Sequence, residues 1–232
     1  MATELIGLAW AHAVWLVILA AVFIPAERLW PLAASRRSPG AARVDILYFA
    51  VNSVPVRWLA ALALVPLATV ADAVTPAALR DLHRSQPWAL QLAEVVVLGE
   101  VAGYFAHLAM HRVPWLYRLH SVHHSSTHVD WLASHRQHPV EVLGLLLVQN
   151  APPLLLGFPL GSVLLFVLAQ KLHTVFVHAY VRLPFGPLAY VIAGPRFHHR
   201  HHEPDAGAVN LASMLPVLDV LFGTYARPRS VG

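Results

Sequence analysis

The sequence predicts an all-α integral membrane protein, a helical bundle of four or five spans with a histidine-rich cap on the cytoplasmic side. Three observations predict it. Of 232 residues, 57% are hydrophobic and only 12% charged, about half the usual charged share of a soluble domain, and mean hydropathy is +0.58. Apolar runs recur at lengths suited to a hydrocarbon core of ~30 Å. The third is histidine: its 16 copies outnumber Asp and Glu together.

The first run, 5–24, is broken only by His12. Glu4 and the lack of a basic start argue against a cleaved leader. A second run, 46–70, carries Asn52, Pro55 and Arg57, so protein must shield one of its faces. A third, 90–110, carries Glu94 and Glu100. Runs 143–156 and 160–181 are joined by Gly157, Phe158 and Pro159 and read as a helical hairpin whose first arm is short. Residues 1–89 form N-terminal transmembrane helices, 90–226 the functional domain and 227–232 a tail.

Arginine orients the spans. Arg28, Arg36, Arg37 and Arg43 share one side with Arg112, Arg118, Arg136, Arg182, Arg196, Arg200, Arg227 and Arg229. The opposite loop, 71–89, holds only Arg80 and Arg84, offset by Asp72 and Asp81. The expected topology puts the N-terminus outside and the C-terminus in the cytoplasm. The sequence pI of about 9.8 follows from these loops and requires no nucleic acid. Cysteine is absent, which excludes disulfides, thiolate metal sites and cysteine-ligated clusters.

Fourteen of the 16 histidines lie between residues 107 and 202. His107 and His111 are four apart, and so share a helix face. His120, His123 and His124 form HxxHH, and His198, His201 and His202 repeat it. His178 ends the last span. The arginine topology, which uses no histidine, puts all of these on one side. Imidazole suits zinc, copper, iron and nickel. Eight imidazoles in three boxes, nine with His178, are too many for one ion and suited to two. A single HxxxH arises by chance in a histidine-rich chain; its coincidence with two HxxHH elements on one membrane face does not. His138, in Arg136-x-His138-Pro139-x-Glu141, reads either as a helix start or as a ligand or ring-orienting neighbour. His173, Asp219 and Glu100 are further candidates for either role; Asp219 reads equally as a turn former, Glu100 as a buried polar contact. Asp130, Glu141 and Asp205 are also close enough in sequence to orient rings. His12 and His83 read as structural or solvent-facing, His128, His135 and His199 as surface or supporting residues. Trp115, Tyr117 and Trp131 suit the headgroup level.

The order of these motifs resembles the fatty acid hydroxylase superfamily, most closely its sterol desaturase branch. The resemblance covers residues 90–226: the three boxes, His178 before Val181-Arg182-Leu183-Pro184-Phe185-Gly186-Pro187, Pro195-Arg196-Phe197 before the last box, and the closing Asn210-Leu211 … Pro216-Val217-Leu218-Asp219 … Gly223-Thr224-Tyr225. Tyr180 and Leu218 depart from the family's usual Asn and Trp. The resemblance implies two iron ions held by the boxes, with O2 as co-substrate, and hydroxylation or desaturation of a lipid such as a sterol or fatty acid. Electrons would come from a separate protein, cytochrome b5-like or a ferredoxin with its reductase; the chain has no GxGxxG fingerprint of its own. The substrate would enter from the bilayer, its tail among the apolar residues of the later spans. A short chain without a retention signal leads us to expect a bacterial inner membrane.

Competing readings are a membrane zinc hydrolase, a zinc or iron transporter or metal-binding protein, and a scaffold. The HExxH helix of the first is absent. Transport sites lie near the midplane, whereas these boxes lie at span ends, and a scaffold leaves two HxxHH elements unexplained.

Overall fold

The computed structural model describes residues 2–34 and 38–228. Arg36, Arg37 and Arg229, counted above for orientation, lie outside the described residues, as does the end of the tail.

The described chain is helical throughout its regular structure. α1 (Ala2–Leu29), α5 (Trp88–Arg112) and α8 (Leu160–His178) are long and apolar enough to cross a membrane. The bent pair α3 (Arg57–Val74) and α4 (Ala77–Ser85), which meet at 113°, is a further candidate, as a broken span or a re-entrant turn. Large apolar side chains such as Trp10, Val17, Leu62, Val74 and Leu168 stand exposed on these helices, as lipid-facing residues do.

The run at 46–70 is not one straight span. α2 (Pro39–Val51) gives way to a π-helical turn, Asn52–Val56, before α3 begins. Pro55 has no N–H to donate, and the wider turn accommodates it. Asn52 is buried there and uses its amide elsewhere, on the His135 and Gln137 carbonyls. α7 (Pro139–Leu155) has 17 residues, about 25 Å of helix, short for a span. Packed against α5 and α3, it runs from Glu141 beside His120 to Leu155, whose carbonyl accepts from Thr75 at the opposite end. Gly157, at φ +85°, makes the turn into α8, where an added Cβ would lie 2.9 Å from Thr75 and Arg80.

α3, α5, α7 and α8 share a core of Leu64, Val95, Leu154, Phe158, Val163 and Phe166. α5 approaches its neighbours through glycine: a Cβ on Gly99 would meet the Phe166 ring at 2.3 Å, and one on Gly103 the Gln149 amide at 2.3 Å. α1 packs through Leu19 against Val175 and Trp131. Trp131 is therefore buried, with Phe23 stacked 6.3 Å away, and not at a headgroup surface, whereas Trp115 and Tyr117 are exposed. Three short helices complete the cap: α6 (Pro114–His124), α9 (Pro195–His201) and α10 (Val217–Phe222). α6 and α9 each start on proline at the first turn, where a missing N–H costs nothing.

Candidate metal centre

The C-terminal end of α5 carries His107 and His111, and that of α8 carries His178. α6 and α9, which follow α5 and precede the closing segment, bring the two HxxHH boxes over these ends. Nine imidazoles converge in two groups. One holds His107, His111, His120, His124 and His201, the other His123, His178, His198 and His202; within each group the ligand atoms lie within 4.8 Å of one another. These are the nine histidines picked out by spacing. Each HxxHH box is split between the groups, because neighbouring positions 3 and 4 of a helical turn diverge enough to face different centres.

The geometry inside each group is specific. Nε2 of His120 lies 3.0 Å from that of His107 and 3.1 Å from those of His111 and His124. In the second group the contacts His178–His123, His198–His178 and His202–His198 are all 3.1 Å between Nε2 atoms. Two nitrogens each about 2.1 Å from one ion, at a right angle, are about 3.0 Å apart.

The opposite ring nitrogens are held. Nδ1 of His107 donates to the Leu211 carbonyl at 2.6 Å, that of His201 to Val209 at 2.8 Å, that of His123 to Arg136 at 3.0 Å and that of His178 to Thr174 at 2.7 Å. His120 Nδ1 donates to the Glu141 carboxylate at 2.7 Å. A proton on Nδ1 leaves Nε2 with a lone pair, so five rings turn lone pairs toward neighbouring rings. Bare lone pairs at 3 Å repel; a cation between them removes the repulsion. The donor set thus fits metal ions, two in number, with imidazole chemistry suited to iron or zinc. Burial first, and the neighbouring imidazoles second, hold His120, His123, His198, His201 and His202 well below the ordinary histidine range. His124 is pushed down to about 4 for the same reasons. The rings are therefore neutral and ligand-ready at pH 7.

The remaining candidates fall elsewhere. Glu100 touches no ring: it accepts from Ser213 Oγ and from the Met214 and Leu215 N–H groups. Asp219 accepts from Leu211 N, Ala212 N and Thr224 Oγ1. Both carboxylates thereby fix the 209–215 strap whose carbonyls hold His107 and His201. Asn210, at φ +53°, turns that strap and ties it to Phe197 and Ala226. His138 caps α7, its Nδ1 accepting from Val140 N at 3.2 Å. His173 lies against Phe176, away from both groups. His199 is inside the cap, its Nε2 on the His178 carbonyl at 3.0 Å.

Two acidic residues that the sequence did not single out for the site also support it. Asp45 on α2, fully buried, pairs with Arg136, whose carbonyl holds His123. Glu27 on α1 accepts from Trp131 N at 3.0 Å and Tyr180 N at 2.8 Å, two residues beyond His178. Their one sequence signal is an acidic residue at the edge of an apolar run.

A cavity of about 490 Å³ opens onto both groups. His107, His120, His123, His178 and His198 form its head, and Leu64, Leu145, Leu146, Leu164 and Val167 wall its body.

Membrane-crossing helices with paired imidazole groups at the head of an apolar cavity define a class: an integral membrane protein able to hold metal beside a lipid-sized space. Comparison with known proteins gives the family. Residues 92–224, more than half of the chain, match the fatty acid hydroxylase family, and the chain belongs to it. Its relatives are consistent with the sterol desaturase branch. It is 33% identical over 144 residues to a very-long-chain aldehyde decarbonylase of Oryza sativa subsp. indica, covering 59% of this chain and 54% of the relative. It is 30% identical over 146 residues to fatty acid hydroxylase domain-containing protein 2 of Macaca fascicularis (62% and 41%). To methylsterol monooxygenase 2-2 of Arabidopsis thaliana it is 29% identical over 140 residues (58% and 52%). The chain thus spans about half the length of the curated relatives it matches. No solved structure matches it.

Proposed function

We propose that this chain is a membrane-bound oxidoreductase that uses O2 to hydroxylate or desaturate a C–H bond of a lipid, with two iron ions held by the nine converging histidines. The observation that carries the reading is the apolar cavity whose head is made of those histidines. An alkyl chain lying in it would bring a C–H bond to the metal-holding face and nowhere else. Family membership and the aldehyde decarbonylase and methylsterol monooxygenase relatives support the same class of chemistry.

When bound, the iron pair supplies activation of O2 and the single-electron steps that an unactivated C–H bond requires. The chain supplies the rest. Carbonyls of Arg136, Thr174, Val209 and Leu211 fix the ring tautomers and directions. Glu141 holds the proton on His120 Nδ1, raising the basicity of the opposite nitrogen. The cavity walls exclude water from the reacting carbon. Residues 90–226 would carry the chemistry, braced by 1–89 through Asp45 and Glu27. Electrons would arrive from a separate cytochrome b5-like protein or ferredoxin with its reductase, at the arginine-rich face, which we assign to the cytoplasm of a bacterial inner membrane.

Metal analysis of the purified chain tests this. About two irons per chain are expected, lost in His123→Ala and in His201→Ala, together with a lipid product that disappears from cells expressing either variant. One zinc, no metal, or unchanged iron in both variants would overturn it.

A further inference from the structure

The cavity has a polar corner distinct from the histidine groups. Lys171 is the sole lysine of the chain and lies on α8, a helix long and apolar enough to cross a membrane. It lines the cavity on the helix face that also bears Leu164, Val167, Thr174 and His178. A cation at such a depth marks function by default, because placing it there is costly. Its Nζ donates to Nδ1 of buried His135 at 3.1 Å.

Asn52 borders the same corner. Its Nδ2 donates to the carbonyls of His135 at 3.1 Å and Gln137 at 2.9 Å. That pair of bonds fixes the amide orientation. It leaves Oδ1 buried, accepting nothing among the described residues, on a residue that lines the cavity. Asn150, further along the wall, repeats the pattern: Nδ2 donates to Leu146 O at 2.7 Å and Oδ1 accepts nothing.

The corner therefore offers one cationic donor and orphaned acceptors. A buried acceptor left unpaired costs free energy, and a ligand that donates removes that cost. A hydroxyl group both accepts, from Lys171, and donates, to Asn52. An aldehyde, ether or ester oxygen only accepts. A carboxylate would match Lys171 but set its lone pairs against Asn52 Oδ1.

We propose that Lys171, His135 and Asn52 form a specificity subsite for the hydroxyl group of a lipid alcohol. Lys171 precedes His178 by seven residues, about 10 Å along the helix axis, and Arg136, next to His135, holds His123. The hydroxyl is therefore anchored near the histidine head, and the carbon presented for oxidation lies close to the oxygen-bearing end of the lipid rather than at mid-chain. The inference rests on the oxygenase reading only for that last consequence; the subsite itself is a matter of binding.

Competition binding on the detergent-solubilised full chain tests it, with radiolabelled 1-octadecanol and cholesterol as probes. The competitors are 1-octadecanol, its methyl ether, octadecanal and stearate, and cholesterol with its 3-methyl ether. In at least one skeleton the alcohol should compete about tenfold better than the ether, the worth of a charge-assisted hydrogen bond. Lys171→Met should abolish that difference with iron content unchanged, and Lys171→Arg should retain it. Equal competition by alcohol and ether in both skeletons, strongest competition by stearate, or an undiminished preference in Lys171→Met would overturn the proposal. Should Lys171→Met not accumulate, the ether comparison on the unaltered chain decides alone. Failure of the oxygenase reading shows separately, as absence of iron, while the alcohol preference remains measurable on metal-free protein.

Discussion

At the scale of single residues, the site depends on which ring nitrogen carries a proton. Four of the held rings rely on backbone carbonyls, which no side-chain substitution removes directly. His120 is different, because its Nδ1 partner is the carboxylate of Glu141. Glu141→Gln keeps the shape and removes the charge. Iron retention against a chelator should fall by roughly ten- to a hundredfold, the usual worth of such a partner. Retention equal to the unaltered chain would show that Glu141 does not orient His120. The nine histidines were legible because i, i+3 and i+4 spacing is local geometry. Their division into five and four was not, since it depends on how α6 and α9 sit over α5 and α8. Nor were the carbonyl acceptors, because every residue has a carbonyl and only packing says which one meets a ring.

At the scale of elements, the N-terminal helices reach into the site. α2 contributes Asp45, which reaches Arg136 from 91 positions away in sequence. Asp45→Asn leaves a buried guanidinium without its counter-charge. Arg136 keeps its contacts to the Ala41 and Ser125 carbonyls, so the cost should be near the lower end for a broken buried pair, about 3 kcal/mol. Thermal unfolding in detergent should register a clear drop, together with weaker iron retention through His123. An unchanged melting temperature would refute the brace. The apolar runs located the spans well where they were uninterrupted. Residues 46–70 did not form one span because Pro55 and Asn52 favour a π-helical turn, and a hydropathy window averages over such a break. Arm 143–156 is short as the sequence suggested, a 17-residue helix packed against α3 and α5.

At the scale of the whole molecule, the cap behaves as a store of neutral imidazoles. His124 and His199, both driven down by burial first, titrate near 4, whereas an unfolded histidine takes its proton near 6.5. Between those values the unfolded chain binds more protons, so stability is present above pH 6.5 and drains away as pH falls toward 4. Melting temperature of the metal-free chain should decline over that window; a flat profile from pH 7 to 5 would contradict it. Orientation is testable because the chain has no cysteine. Ser85→Cys should react with an impermeant maleimide on intact cells, and Arg118→Cys only after permeabilisation. The reverse pattern would invert the arginine-derived topology.

The splitting of each HxxHH box between two groups makes the cap intolerant of changes in chain length. One residue inserted between His120 and His123 rotates everything beyond it by about 100° on a helix. His123 would then face away from His178, and His124 away from His120, in a single step. The same holds between His198 and His201. Neither half of the centre can be shortened or lengthened without the other, so insertions should be tolerated in the connections and not within α6 or α9.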